Sequence, residues 1–315
     1  MEPVTRTAER AGASARALCA DVSRAHAESL AATASHVENW VLVEYRRLWS
    51  RDTIAGSGLP DEAKKHLRSQ LAALPRSRLL FIRRPERRGA GLEVFFGRSR
   101  ERERRFHALE IGSYDELPAL DFAAALDGGA AVGEALDHPL LVVCTHGKRD
   151  RCCAKYGRPL YDELREETDP DWVWQSTHVG GDRFAGNLVC LPEGLFFGRV
   201  ERPDVWGLLD EYLAGRIDLG HYRGRSAYPF PVQAAERRLR EAAGLAGIDD
   251  LALESVRRTG EAAWTVCFRA AGRAAVHEVD VVGELALEPT YLTCSAATPV
   301  RPRRYVAKAH RVRDR

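Results

Sequence analysis

The chain has 315 residues, of which 45% are hydrophobic and 29% charged, the composition of an ordinary globular protein with enough length for two domains. Its formal net charge is only +2, which excludes a nucleic-acid-binding surface extending over the whole molecule. No apolar run approaches the roughly 18–20 residues that cross a bilayer, so we expect no membrane contact.

The first twenty residues and the cysteines indicate a reducing compartment. The N-terminus is rich in Ala and Arg, contains Glu2 and Glu9, and has no continuous apolar segment before a cleavage site. Seven cysteines are an odd number, which favours reduced thiols or metal ligands over a disulfide framework. We therefore expect a cytoplasmic protein.

The elements predicted first are a helix over residues 22–38 and a buried strand at WVLVEY (40–45). A second, amphipathic helix is predicted over residues 59–74, where leucines at helical spacing follow an acidic first turn. Two strands come next, SRLLFIRR (77–84) and LEVFFGRS (92–99), and we expect them to form a hairpin around PERRGAG.

The same order of elements recurs about one hundred residues further along the chain. The predicted elements are a strand at 140–145, a helix at 157–167, and strands at 172–177, 187–192 and 193–200. Because FFGR at 95–98 also returns at 196–199, two similar β–α–β–β halves are the economical inference. The small-residue segment DGGAAVGEALDH (127–138) is expected to link them.

The C-terminal third predicts an antiparallel meander behind one helix. The helix is predicted over residues 231–245, and the strands over 251–256, 263–272, 274–282 and 287–295. Two basic runs, SRERERR (99–105) and the tail RPRRYVAKAHRVRDR (301–315), are typical of solvated turns and tails. The alternative is a docking patch for an acidic redox partner.

Two segments of the second half contain several residues that can bind a metal or take part in redox chemistry. They are CTHGKRDRCC (144–153), which follows a predicted strand, and HVGGDRFAGN (178–187), which follows the next one. Cys144, Cys153, His178 and Asp182 can therefore converge from two loops, and Gly180 and Gly181 permit positive φ and close backbone approach. The first half has Glu44 where the second has Cys144, so the thiol chemistry belongs to the second half. We interpret Cys19, Cys190, Cys267 and Cys294 as small buried hydrophobic residues.

These two segments resemble the paired motifs of the sucrase/ferredoxin-like family. The first resembles C-x-H-x-x-R-D-x-x-C, and matches at Cys144, His146, Arg149, Asp150 and Cys153. The second resembles H-x-G-G-H-x-x-A-G-N, and matches at His178, Gly180, Gly181, Ala185, Gly186 and Asn187. The resemblance is densest over residues 138–200 and continues to about residue 235.

The resemblance implies an α/β fold of two thioredoxin-like halves with a C-terminal antiparallel β-rich appendage. Residues 15–130 would form a degenerate half without cluster ligands, residues 136–235 a ferredoxin-type half, and residues 236–315 the appendage. It also implies a [2Fe–2S] cluster held by two cysteines and two histidines. The function implied is electron transfer to an unidentified partner protein, not catalysis on a substrate of its own, and we assign no catalytic residue.

The sequence departs from the family pattern at Asp182, which stands in place of the second histidine. The predicted ligands are Cys144, Cys153, His178 and Asp182, with Cys152 as the alternative fourth ligand. Either set carries three negative charges instead of two, which lowers the reduction potential. Supporting roles around the cluster are assigned to His146, Arg149, Gly180 and Gly181.

Two other functions remain open from the residues. Cys, Cys, His and Asp can form a tetrahedral zinc site that stabilises a binding module, although the usual C-x₂₋₄-C spacing is missing. The vicinal pair Cys152 and Cys153 suggests a thiol redox protein that has lost the cluster, but the chain contains no C-x-x-C. Sucrase activity is not expected, because no pair of carboxylates can be singled out as a glycosidase site.

Overall fold

The structure is a computed structural model that describes residues 17–86, 89–128, 133–272 and 275–313. The N-terminal residues 1–16, and the middle of the predicted linker at 129–132, lie outside the described residues. So do residues 87–88 of the PERRGAG segment, residues 273–274 at the start of one predicted strand, and the last two residues of the basic tail. Within the described ranges, no helix is both long and apolar enough to cross a membrane.

Among the described residues, ten strands form one large curled sheet, and four strands form a separate antiparallel sheet. The strands of the large sheet are β1 Asn39–Glu44, β2 Ser77–Arg83, β3 Leu92–Ser99, β4 Arg104–Ile111, β5 Glu134–Ala135, β6 Leu140–Cys144, β7 Val173–Ser176, β8 Leu188–Leu191, β9 Leu195–Phe197 and β10 Tyr222–Arg225. Those of the small sheet are β11 Leu251–Gly260, β12 Ala263–Ala270, β13 Val276–Leu285 and β14 Arg303–Arg313. The helices are α1 Cys19–Ala25, α2 Asp61–Ala73, α3 Phe122–Asp127, α4 Arg151–Glu167, α5 Val205–Leu213 and α6 Phe230–Ala243.

The large sheet consists of two halves with the same topology. In the first half β1 is parallel to β2 and antiparallel to β3, and β3 is antiparallel to β4. In the second half β6, β7, β8 and β9 repeat these relationships. The strand order 2-1-3-4, with only the third strand reversed, is that of the thioredoxin-like fold. The expected α/β fold of two such halves with a β-rich appendage is confirmed.

The halves meet edge to edge and also face to face. β2 pairs with β7 in the antiparallel sense, through Ile82 opposite Ser176 and Arg83 opposite Gln175. Because side chains alternate along a strand, Trp40 and Leu42 of β1 point away from α2 and pack in one cluster with Val142 and Trp174. Cys144 and Cys153 belong to this same cluster. The core shared by the two halves therefore borders the predicted site.

Two expectations for the first half are wrong. Residues 77–84 and 92–99 do not form a hairpin, because the parallel β1–α2–β2 crossover leaves β1 between β2 and β3. The helix predicted over 22–38 ends at Ala25. Beyond it Ala27 and Ala32 have positive φ, and the backbone N–H groups of Thr33 and Val37 donate to the β10 region instead of to a helix. Tertiary hydrogen bonds override helix propensity here.

The fourth strand of the small sheet is the basic tail and not residues 287–295. Arg311 lies 2.7 Å from Glu278 of β13, and Arg304 and Lys308 both contact Glu284. These ion pairs explain why a run of cations can sit on a strand next to β13. Residues 287–295 lie instead within the long connection from β13 to β14, which carries Cys294 back towards α4.

Candidate metal centre

Two cysteines and one histidine converge at the end of β6, where the sequence motifs predicted a site. Cys144 is the last residue of β6, Cys153 lies in the first turn of α4, and His178 follows β7. Their ligand atoms all lie within 4.8 Å of one another. Both cysteines are 1% exposed, whereas the His178 side chain is 24% exposed. We call these three residues the Cys144 group, and it could hold a metal ion.

The approach of α4 to the end of β6 depends on two residues. Asp150 caps the helix, since its Oδ1 accepts a hydrogen bond of 2.8 Å from the Cys152 N–H. At Gly157 a Cβ atom would lie 2.0 Å from the carbonyl oxygen of Cys144, so only glycine allows the helix to cross the strand this closely. The helix was predicted to begin at residue 157. It begins at Arg151, so Cys152 and Cys153 are helical and not in a loop.

Asp182 contacts the Cys144 group without being one of its three mutually close residues. Its Oδ1 lies 2.9 Å from His178 Nδ1 and 3.3 Å from Cys153 Sγ, and the residue is 3% exposed. The turn before it has φ of 101° at Gly180 and 84° at Gly181, the conformation expected from the sequence. A buried carboxylate is thus available beside the two sulfur atoms and the imidazole.

Two arginines that the sequence analysis missed hold this turn in place. Arg78 of β2 donates to the carbonyl oxygen of Val179. Arg223 of β10 donates to the carbonyl oxygen of Gly180 at 3.0 Å and to Asn187 Oδ1 at 2.7 Å. Asn187 in turn donates to the carbonyl oxygen of Gly181 at 2.9 Å. No local motif marks either arginine, because both reach the turn only through the sheet.

The charges of the Cys144 group favour a thiolate beside a protonated imidazole when no metal is bound. Interaction with the Cys153 thiol, and with His178, lowers the pKa of Cys144 well below its usual value. Burial by itself would lower the pKa of His178, but the Asp182 carboxylate and the Cys144 sulfur raise it to about 9. A metal would therefore displace a proton from His178 on binding.

An open cleft of about 530 Å³ leads from the surface to His178. It is lined by Arg51, Asp52, Thr53, His146, Arg149 and His178. Arg149 is exposed at its mouth. His146 is buried, and its Nε2 lies 2.9 Å from the carbonyl oxygen of Ser50. His146 is therefore a hydrogen-bonding residue of the cleft wall and not a surface imidazole.

Cys152, the alternative fourth ligand, is directed into a second group of side chains. Its sulfur lies 3.5 Å from that of Cys19 and 3.3 Å from that of Cys294, and Asp150 completes the set. Cys19 is fully buried and Cys294 is partly buried against the same apolar cluster, and the sequence did not predict that the fold brings both to Cys152. Sequence separations of 133 and 142 residues gave no local signal for this. Cys190 and Cys267 lie on β8 and β12, outside both groups.

The fold and the buried Cys144 group define a thioredoxin-like α/β protein with a candidate metal centre in its second half. The family model described as Sucrase/ferredoxin-like matches residues 30–224, more than half of the chain, and the chain belongs to that family. The resemblance drawn from the two motifs is thereby confirmed.

Curated relatives are fungal. The chain is 39% identical over 95 residues to altered inheritance of mitochondria protein 32 of Meyerozyma guilliermondii, covering 27% of this chain and 34% of the relative. It is 33% identical over 96 residues to the protein of that name from Debaryomyces hansenii, covering 27% and 35%. The chain thus spans about a third of the length of these relatives. No solved structure matches it significantly.

Proposed function

We propose that this protein is an electron carrier that binds a [2Fe–2S] cluster through Cys144, Cys153, His178 and Asp182. The observation that carries the proposal is the convergence of two buried sulfur atoms and one imidazole within 4.8 Å, with the Asp182 carboxylate in contact with two of them. Thiolate, imidazole and carboxylate are all donors that iron accepts, and two irons require four protein donors between them. Membership of the Sucrase/ferredoxin-like family supports the same assignment.

The cluster, when bound, would supply reversible one-electron chemistry. The chain's own residues would set its charge and its access to solvent. Two thiolates and one carboxylate contribute three negative charges, which stabilise the oxidised state and lower the potential relative to a centre with two histidines. Arg78 and Arg223, whose side chains hold the turn between His178 and Asp182, place positive charge nearby and partly offset this effect.

His178 is the proposed exit for electrons. It is the one member of the Cys144 group with a substantially exposed side chain, at 24%, and it lines the cleft together with Arg51 and Arg149. A partner that docks over the cleft would come within short distance of the imidazole edge. The two arginines favour a partner with acidic groups at its docking surface, since opposite charges steer encounter complexes.

A cytoplasmic location is also part of the proposal. All seven cysteines are free in the structure, and free thiols are typical of reducing compartments.

The proposal is tested by visible absorption and EPR spectroscopy of anaerobically purified protein, compared with Cys144→Ser and Cys267→Ser variants. We expect a red-brown wild type that gives an EPR signal on reduction, an unchanged Cys267→Ser variant, and loss of both signals in Cys144→Ser. A colourless wild type that contains neither iron nor sulfide would overturn it, and bound zinc that is lost in Cys144→Ser would then favour the zinc-stabilised binding module.

A further inference from the structure

A second cluster of side chains that could bind a metal shares the first turn of α4 with the Cys144 group. It consists of Cys19, Asp150, Cys152 and Cys294, and we call it the Cys152 group. The three sulfur atoms form a triangle with sides of 3.5, 3.3 and 3.6 Å. The oxygen atoms of Asp150 lie 3.9 Å from Cys19 Sγ. All four ligand atoms lie within 4.8 Å of one another.

This spacing fits ligands of one tetrahedral ion better than it fits a disulfide. Two sulfurs bound to one zinc ion at about 2.3 Å are separated by about 3.8 Å, close to the three sides of the triangle. A disulfide would bring two of them to about 2.05 Å and leave the third cysteine unpaired. All four donors lie within 4.8 Å of one another, a spacing that one tetrahedrally coordinated ion can bridge.

The surroundings of the group also suit a permanently bound cation. Cys19 and Cys152 are fully buried, and Asp150 is 3% exposed. The backbone N–H of Ala20 donates to Cys152 Sγ at 3.4 Å, and the N–H of Cys294 donates to Asp150 Oδ2 at 2.6 Å. Such N–H groups stabilise negative charge on thiolate and carboxylate. In the ionised form, a buried set of three thiolates and a carboxylate is costly unless a cation compensates its charge.

We infer that the Cys152 group is a structural zinc site, with Cys19, Cys152 and Cys294 as thiolate ligands and Asp150 as the fourth donor. Thiolate sulfur and carboxylate oxygen are both ligands of zinc, and four donors match the coordination number of its structural sites. Nothing in the inference depends on what the Cys144 group binds. Cys19 and Cys294 lie outside residues 30–224, so the family match does not account for the site.

The site would join three distant parts of the chain. Cys19 begins α1, Cys152 lies in the first turn of α4, and Cys294 belongs to the connection between β13 and β14 of the appendage. Zinc would thus attach the appendage and the N-terminal helix to the helix that presents Cys153. Structural zinc sites contribute directly to folding free energy, so removal should loosen this end of α4.

Metal analysis of the full-length protein, purified anaerobically, tests the inference. We expect equimolar zinc in the wild type, in Cys144→Ser and in the control Cys267→Ser, and loss of zinc in Cys294→Ser. Iron should follow the opposite pattern, lost in Cys144→Ser and retained in Cys294→Ser. The two assignments can therefore fail separately. Zinc retained in Cys294→Ser, or iron in place of zinc in Cys144→Ser, would overturn the zinc site.

A second measurement does not depend on the Cys294→Ser variant folding. Co²⁺ is added to zinc-depleted Cys144→Ser/Cys153→Ser protein, in which only the Cys152 group keeps its sulfur ligands. We expect sulfur-to-cobalt charge-transfer absorption and the intense visible bands of tetrahedral cobalt, both abolished by added Zn²⁺. A featureless spectrum, or intact-mass evidence for a disulfide among Cys19, Cys152 and Cys294 in the anaerobic protein, would contradict the inference.

Discussion

Cys152 and Cys153 are adjacent in the chain, yet their sulfur atoms belong to two different buried groups. Successive residues of an α-helix point in directions about 100° apart, so the first turn of α4 can serve one group with each cysteine. Cys153 faces Cys144 and Asp182, and Cys152 faces Cys19 and Cys294. The helix start is therefore the element on which both candidate sites depend.

Replacing these neighbours one at a time should have different effects. In Cys153→Ser we expect the visible absorption of the cluster to be lost, because serine is a poor ligand for iron. In Cys152→Ser we expect the absorption to remain and the melting temperature to fall, because only the Cys152 group is disrupted. Parallel absorption spectra and thermal melts check this. Equal loss of colour in both variants would argue for Cys152 as a cluster ligand.

Asp182→His should raise the reduction potential, because a neutral imidazole replaces an anionic carboxylate. In potentiometric titrations at several pH values, the reduction potential of Asp182→His should also fall with rising pH. The slope should approach about 59 mV per pH unit, the value for uptake of one proton per electron. The matched variant Asp182→Asn is nearly isosteric but a weak ligand, and we expect it to lose the cluster. If Asp182→Asn keeps both the cluster and its potential, Asp182 is not a ligand.

Gly157→Ala should weaken both the fold and the metal centre. Its methyl group would lie 2.0 Å from the carbonyl oxygen of Cys144, so α4 must shift away from β6, at a cost of about 1–3 kcal/mol. Gly207 of α5 offers the control, since nothing lies within 4 Å of a Cβ added there. Gly207→Ala should stabilise by about 0.5–1 kcal/mol, as helix propensity predicts. Urea unfolding measures the stability of each variant, and iron analysis measures its metal content. Equal stability and equal iron content in the two variants would contradict the prediction.

Glu44 occupies in the first half the position that Cys144 has in the second, and there it forms an ion pair. Its side chain is 3% exposed and accepts hydrogen bonds from Arg46 Nε at 2.7 Å and from the Glu93 N–H at 3.1 Å. Glu44→Ala should reduce the free energy of unfolding by about 2 kcal/mol, because it removes the carboxylate that pairs with Arg46.

The control for Glu44 is Asp162→Ala, which breaks the exposed ion pair with Arg158 on α4. We expect a change of about 0.5 kcal/mol or less, since exposed pairs contribute little. Denaturant titrations of both variants provide the comparison. If Glu44→Ala is as stable as Asp162→Ala, the buried pair of Glu44 and Arg46 stabilises the fold no more than an exposed ion pair does.

Much of the fold was readable because the two halves repeat. The apolar runs at β1 and β6 mark the first strand of each half and are buried at every position. The FFGR tetrapeptide does not mark equivalent strands, because it lies in β3 in the first half and begins in β9 in the second, whereas by topology β3 corresponds to β8 and β4 to β9. No sequence pattern predicted the pairing of β2 with β7. The tail was misread because a run of Arg and Lys is typical of a solvated segment, whereas here Glu278 and Glu284 on the neighbouring strand compensate the charges.

The candidate site was predictable to the extent that its residues lie in two short motifs. Cys144, Cys153, His178 and Asp182 come together as the spacing predicted. Arg78, Arg223, Cys19 and Cys294 were missed because each reaches its group through tertiary contacts. Asp150 could have been recognised from the sequence, because aspartate is a preferred residue at a helix N-terminus. Its side chain does accept a hydrogen bond from the Cys152 N–H. A helix predicted to begin after Asp150 would have included Cys152 and Cys153.

Mössbauer spectroscopy of ⁵⁷Fe-enriched protein, isolated anaerobically, tests the central claim most directly. If Cys144 and Cys153 bind one iron while His178 and Asp182 bind the other, the oxidised protein should give two quadrupole doublets of equal area, one typical of sulfur ligation and one of mixed nitrogen and oxygen ligation. A single doublet from two equivalent irons would contradict this ligand arrangement, and the absence of protein-bound iron would contradict the cluster itself.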